Sequence, residues 1–359
     1  MAENPCRQNS ITDARRRNKQ DAHIVVIRLT SVLYQCDSSD APLQPRTFHI
    51  IFSLSRNSQP REKMSNLFYC ELQDRGVLQI TGQDARDFLQ GLISNDIQSV
   101  SSNRAIYSAL LTPQGKYLFD FFITEYGGAL LLETEKMKIS SLIKRLKIYK
   151  LRAEVELKDV TNKWSLFAFW GEGISDLCGL SEAPGSATNI IGGVAFVDPR
   201  LPNAGIRILQ PIGTNIVSKI SSHSTATDPS NYDRMRLALG LPYDSRDLIA
   251  EKSTLIESGF DELHGIDWNK GCYMGQELTA RTKYRGLVKK RLVPVDIFGP
   301  LPEPGSLIFT RDGRSVGEMR SGRDNRALAL VRIEYLDGSE SLQSGKAKII
   351  PIKPDWADF

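Results

Sequence analysis

The chain has 359 residues, 41% hydrophobic and 25% charged, with 46 Lys and Arg against 42 Asp and Glu for a formal charge of +4. That length exceeds one ordinary core and implies two or three domains, while the near balance of charge excludes the single-sign field of a dedicated nucleic-acid binder. No apolar run is long enough to cross a bilayer, so no membrane role is expected.

Residues 1–63 are rich in Ser, Asn, Arg and Gln and carry the acids Glu3, Asp13, Asp21, Asp37, Asp40 and Glu62. A mitochondrial presequence is nearly free of acids. The segment therefore reads as a disordered extension, or as the product of a start codon assigned too early, with translation beginning at Met64.

From Phe68 to Ile80, alternating apolar residues around Arg75-Gly76 predict a strand or short hairpin. Ala85, Phe88, Leu89, Leu92 and Ile93 share one helical face, with Asp84 placed to cap the start and Asn95-Asp96 to end it. Strands 106–111 and 117–124 flank Thr112-Pro113-Gln114-Gly115, a turn sequence, and predict a β-hairpin. A strand at 129–133 and an amphipathic helix at 136–150 follow, with Ile139, Leu142, Ile143 and Leu146 inward.

Short strands are expected at 155–160, 164–170, 194–198 and 205–209, the middle two separated by a Gly/Ser/Pro-rich stretch from Gly171 to Gly193. A helix at 231–239 ends at Gly240. The last part is β grammar, with strands at 291–298, 306–310, 315–321, 327–333 and 347–352 and an Asp312-Gly313 hairpin signal, which suggests a small barrel or sandwich.

The five cysteines (Cys6, Cys36, Cys70, Cys178, Cys272) form no C-x-x-C pair, which argues against structural disulfides and suits a reducing compartment. The four histidines show no zinc-ligand spacing. One cysteine stands out. Cys272 lies in Lys270-Gly271-Cys272-Tyr273-Met274-Gly275-Gln276-Glu277, followed by Arg281, Lys283, Tyr284, Arg285 and Gly286. Nearby cations favour the thiolate, the reactive form of cysteine. The competing reading is a solvated linker with Cys272 as a small buried hydrophobe. His264 is the nearest candidate base, but eight residues of separation fix no geometry. Asp120 sits among Phe119, Phe121 and Phe122, either as a buried carboxylate fit to exchange protons or as an outward residue between inward aromatics.

Together these stretches resemble the folate-binding YgfZ/Iba57 (CAF17-like) family of iron–sulfur cluster assembly or repair proteins, relatives of the glycine-cleavage T protein, an aminomethyltransferase. The family's Lys-Gly-Cys-(Tyr/Phe)-x-Gly-Gln-Glu runs unbroken from Lys270 to Glu277 and continues as Ala280-Arg281-Thr282-Lys283-Tyr284-Arg285-Gly286. Further likeness comes from Phe88 to Asp96, Gln114-Gly115-Lys116, Asp198-Pro199-Arg200, and Arg236 with Gly240-Leu241-Pro242. The resemblance implies an α+β fold of three domains in a ring around a tetrahydrofolate pocket. It divides the chain into the extension (1–63), a folate-binding domain (64–150), a second, ferredoxin-like α+β domain (151–245), the cysteine segment at the central pocket (246–290) and a C-terminal β-barrel (291–359).

It also implies roles. Cys272 would be the functional thiol, either ligating an iron–sulfur cluster transiently with a partner or cycling through oxidation, Asp120 and Tyr107 the folate contacts, Gln276 and Glu277 the residues orienting the motif, and Arg281 and Arg285 the holders of folate's anionic tail or an acidic partner. Partners would be A-type carriers and 4Fe–4S client enzymes, and the chain itself a monomer. Two departures from the aminomethyltransferase pattern favour a maturation factor over an enzyme. Phe119 replaces the first of two adjacent aspartates, and Asp198-Pro199-Arg200 replaces a Tyr-Thr-Gly-Glu-like segment. The rival reading is a tetrahydrofolate-dependent one-carbon transferase. An RNA-modification role is disfavoured because the basic segment has no stacking platform beyond Tyr273 and Tyr284. The segment Glu257 to Leu263 resembles alphaproteobacterial members, which favours a bacterial cytoplasm over a mitochondrial matrix.

Overall fold

The computed structural model describes residues 67–359 except 191, 215, 287 and 339, so the expectations for 1–63, with Cys6 and Cys36, lie outside the described residues. The chain begins with β1 (Phe68–Glu71), β2 (Arg75–Thr81), α1 (Ala85–Gln90), β3 (Ile106–Leu111), β4 (Tyr117–Tyr126), β5 (Ala129–Glu135), α2 (Ile139–Lys150) and β6 (Glu156–Asp159). It continues through β7 (Trp164–Trp170), α3 (Ile174–Leu177), β8 (Ala187–Ile190), β9 (Gly193–Val197), β10 (Ile206–Pro211), α4 (Ile216–Ser221), β11 (Thr225–Ala226), α5 (Pro229–Leu239) and α6 (Asp244–Asp247). Last come α7 (Gln276–Tyr284), β12 (Lys290–Phe298), β13 (Leu307–Thr310), β14 (Ser315–Arg323), β15 (Arg326–Arg332), β16 (Leu342–Ser344) and β17 (Ala347–Pro351).

Three sheets result: β3-β4-β5-β2-β6, β11-β1-β7-β10-β9-β8, and a closed barrel β12-β15-β14-β13-β16-β17. This is the expected α+β class with a terminal barrel. In β4 the two faces are both buried, which explains its nearly unbroken apolar run. Phe121 and Ile123 join the core under α1 and α2, with Leu89, Leu142 and Leu146. Phe122 faces the other way, into a cluster that draws Tyr107 from the first sheet, Trp170 and Phe196 from the second, Leu292 and Leu328 from the barrel, and Phe260 and Tyr273 from the connecting segments. In β12 the alternation runs Val293, Val295, Ile297 into the barrel interior.

Several local expectations change. Phe68 to Ile80 is no hairpin: β1 pairs with β7 in the second sheet and β2 with β5 in the first. Asp84 precedes α1 without capping it, because its carboxylate accepts from Glu154 N at 2.7 Å instead. The helix stops at Gln90, and Asp96 caps the 3-10 turn Ile97–Ser99 through Gln98 N. The stretch 171–193 contains α3 and β8. A sixth barrel strand, β16, closes the ring. The helix at 229–239 behaves as expected, with Asp228 accepting from Ser230 N and Gly240 at φ 75° ending it.

Candidate functional site

Gly271 and Cys272 are exposed, while Tyr273 beside them is buried in the central cluster. What fixes this short loop is Lys270. Its Nζ donates to Gln90 O at 2.8 Å, Ile93 O at 2.7 Å and Asn95 O at 2.9 Å, the carbonyls left open at the end of α1 and beyond it. Burial pulls this ammonium down to about 8, against the opposing attraction of Asp96 and Asp267. Lys270 is thus committed to the backbone of the α1 loop. Met274 N adds a bond to Gly91 O at 3.0 Å.

On the far side of Cys272, Gly275 takes φ 82° as the residue that opens α7. A Cβ there would lie 2.6 Å from Thr112 O and 2.9 Å from Gly115 Cα, so the β3–β4 turn rests directly on the motif backbone. Gln276 and Glu277 form no side-chain hydrogen bond among the described residues. The loop is oriented by Lys270 and the glycines.

The motif continues into the helix α7, which carries Arg281 and Tyr284, with Arg285 at its end. Tyr284 is 70% exposed, and neither Arg281 nor Arg285 has an ion-pair partner among the described residues. Lys283 is held: its Nζ lies 2.9 Å from Asp261 and 4.2 Å from the Trp268 ring centroid, and Trp268 meets Tyr284 edge-on at 5.7 Å. No hydrogen bond joins His264 to Cys272 among the described residues. His264 instead lines an open cleft of about 470 Å³ with Arg104 and Trp268.

The other two described cysteines differ. Burial pushes the Cys70 thiol up to about 12 and the Cys178 thiol up to about 11. Cys272 is the exposed thiol of the three.

Asp120 and Tyr107 do come together, but as a buried, mutually bonded pair. Tyr107 OH donates to Asp120 Oδ2 at 2.8 Å, and Tyr117 OH donates to Oδ1 at 2.6 Å. Burial first, then the Asp120 carboxylate, keeps both phenols well above the ordinary tyrosine range, so both remain donors. Tyr117 was not a sequence candidate, since a spacing of three puts strand residues on opposite faces. A β-bulge between Leu110 and Leu111 on the partner strand's register turns Tyr117 onto the Asp120 face.

Behind this bridge lies an ionic network. Arg200 forms a two-point pair with Asp198, at 3.0 and 2.7 Å, and its guanidinium stands 4.9 Å from the Phe122 centroid. Burial opposes ionisation of Asp198, yet Arg200 and Arg207 hold it below the usual carboxylate range. Glu133 accepts from Arg75 and Arg207, and Arg75 also reaches Asp244. Arg207 Nε lies 3.6 Å from Asp198 Oδ2, so Asp198 ties the two arginines together.

Residues 63–177 match the family described as GCVT N-terminal domain, and residues 289–359 the CAF17 C-terminal β-barrel domain. The mitochondrial iron–sulfur cluster assembly factor IBA57 of Mus musculus is 31% identical over 310 residues, covering 79% of this chain and 84% of that protein. The chain belongs to the IBA57 family. The Homo sapiens protein of the same name gives 31% over 312 residues with the same coverage, and the mitochondrial IBA57 homolog of Neosartorya fischeri gives 30% over 345 residues, covering 80% of this chain and 77% of the other. Among solved structures, the glycine cleavage system aminomethyltransferase T from Bartonella henselae superposes with a TM-score of 0.67 at 16% identity, covering 82% of this chain and 87% of that one, which shows a shared fold.

These IBA57 relatives are mammalian and fungal proteins named as mitochondrial, and that corrects the expectation of a bacterial cytoplasm. The fold is compatible with folate binding. The residues expected to hold tetrahydrofolate nevertheless do not fit it: Tyr107 is 0% and Asp120 3% exposed, and both Asp120 oxygens are already bonded.

Proposed function

We propose that this chain is an accessory factor in iron–sulfur cluster assembly in the mitochondrial matrix, presenting the Cys272 thiolate as one ligand to a cluster that a partner holds with ligands of its own. The observation that carries this is an exposed thiol on a loop pinned from both sides, by Lys270 to the α1 loop and by Gly275 to the β3–β4 turn. The names of its IBA57 relatives support the cluster reading.

The cluster is cargo. Cys272 loses its proton to solvent and donates a sulfur electron pair to iron, with no net oxidation. Among the described residues no three His, Cys, Asp or Glu side chains converge on a metal position, so the remaining ligands come from the partner. Arg281, Arg285 and the exposed ring of Tyr284, on and after the helix that follows the thiol loop, offer that partner a basic and aromatic contact surface. A-type carriers and 4Fe–4S client enzymes are the proposed partners.

The test is complementation of cells lacking their own factor with wild type, Cys272→Ala or Cys178→Ala at matched protein levels, reading aconitase-type 4Fe–4S enzyme activity. Cys272→Ala should fail and Cys178→Ala should restore. Full restoration by Cys272→Ala would show the thiol mechanism to be wrong.

A further inference from the structure

We infer that the centre of this chain is closed to pteridines because its own Phe260 ring occupies the aromatic position against Tyr107, making the Tyr107–Asp120–Tyr117 bridge a structural tie and not a cofactor contact. Phe260 is 0% exposed and stacks on Tyr107 with centroids 4.9 Å apart and planes 24° apart. Phe122 packs on the same tyrosine at 5.1 Å, and the Arg200 guanidinium lies 5.3 Å from its centroid. A planar heterocycle entering here needs an accessible aromatic face and an accessible carboxylate, and Tyr107 and Asp120 are 0% and 3% exposed.

The larger clefts, of about 800 and 470 Å³, are lined by none of Tyr107, Asp120 and Phe260. The cavity beside β4 holds about 160 Å³ and is lined by Tyr117, Phe119, Thr134 and Asp244, but by neither Tyr107 nor Asp120. Small-molecule sites run from roughly 300 to 1,000 Å³.

The local backbone holds the Phe260 segment in place. Phe260 N bonds Leu255 O at 3.1 Å and Gly265 N bonds Phe260 O at 2.7 Å, closing a tight loop. Gly265 gives the Phe260 ring room that a Cβ, 2.6 Å from Cδ1, would take away. Gly259 at φ 76° lies against the Trp356 ring, which is anchored through Nε1 to Leu239 O at 2.6 Å. The backbone at Gly259, next to Phe260, is therefore packed against the C-terminal segment. This inference stands apart from the thiol reading, since nothing in it involves Cys272.

The experiment titrates the full chain with 5-formyltetrahydrofolate by calorimetry and follows hydrogen exchange of residues 105–124 and 255–265 with and without that ligand. The expected result is no saturable heat assigned to the centre and no added protection in either segment. Stoichiometric binding that protects both segments and is lost in Tyr107→Phe and Asp120→Asn would overturn the inference. Exchange in the wild type needs no variant, so a misfolded Asp120→Asn leaves the outcome readable. Binding that leaves both segments unprotected and survives Tyr107→Phe places the ligand elsewhere and upholds the closed centre. Failure of the cluster reading shows only in the Cys272→Ala arm of the complementation, which this titration does not touch.

Discussion

Gly115 and Gly275 meet backbone to backbone: a Cβ on Gly115 would fall 2.8 Å from Gly275 O, and one on Gly275 would fall 2.9 Å from Gly115 Cα. Both also have positive φ, 78° and 82°. Either glycine changed to alanine therefore meets a strained backbone and a clash at once. We expect Gly275→Ala to lower stability by about 2 kcal/mol or more and to displace the Cys272 loop, read as a lower urea midpoint and reduced complementation. A wild-type midpoint in that variant would mean the contact is loose.

Lys270→Met keeps the apolar stem and removes three hydrogen bonds to carbonyls. We expect a loss of about 1–3 kcal/mol, with faster exchange of the amides at 271–274. Lys270→Arg should rescue poorly, because a planar guanidinium cannot converge on three carbonyls as an ammonium does.

The three described cysteines should separate by reactivity. Brief alkylation of the native chain near neutral pH should label Cys272 and spare Cys70 and Cys178, whose thiols burial holds at about 12 and about 11. Peptide mapping by mass spectrometry checks this, and prior labelling of Cys70 would contradict the described core.

Asp233 on α5 pairs with Arg236 of the same helix at 2.7 Å, Arg246 of α6 at 3.0 Å and, in the barrel, Arg323 of β14 at 2.9 Å. Burial opposes its ionisation, but these arginines outweigh it and hold the carboxyl at about 2 against an ordinary 3.8. A depressed folded pKa contributes stability that is complete above 3.8 and is lost as the pH falls through about 2. We expect this step to be worth about 1–2 kcal/mol after allowance for its partly solvated partners. Asp233→Asn should flatten the acid limb of the stability curve, and an unchanged slope would remove Asp233 from the account.

Arg281→Glu with Arg285→Glu should leave stability within about 0.5 kcal/mol, since both side chains are exposed and unpaired among the described residues. Capture of a cluster-carrying partner should weaken, and its salt dependence should diminish. Equal capture at low and high salt by wild type would argue against a charged contact.

Much of this was legible before any coordinates. The hairpin around Gly115, the α2 face and the α5 stop at Gly240 follow from period and turn chemistry acting locally, and the long cysteine motif named the family. The misses share a cause in tertiary competition. Asp84 looks like a cap until Glu154 N takes its carboxylate, and Tyr117 looks like the wrong face until a bulge rotates it. From sequence, Lys270 reads as a cation that tunes the neighbouring thiol. Its real partners, three carbonyls some 180 positions earlier, leave no trace in spacing.

The crossing of strands between sheets bears on how the chain is made. Phe68 in β1 finds its partner only when Trp170 has been synthesised, and β2 lacks its outer neighbour until Asp159. Until then an apolar ribbon leaves the ribosome with bare amide edges, the condition in which strands pair with the wrong neighbour. A fragment ending at residue 150 keeps that hazard permanently, and coexpressing the remainder should recover solubility by supplying β6 and β7.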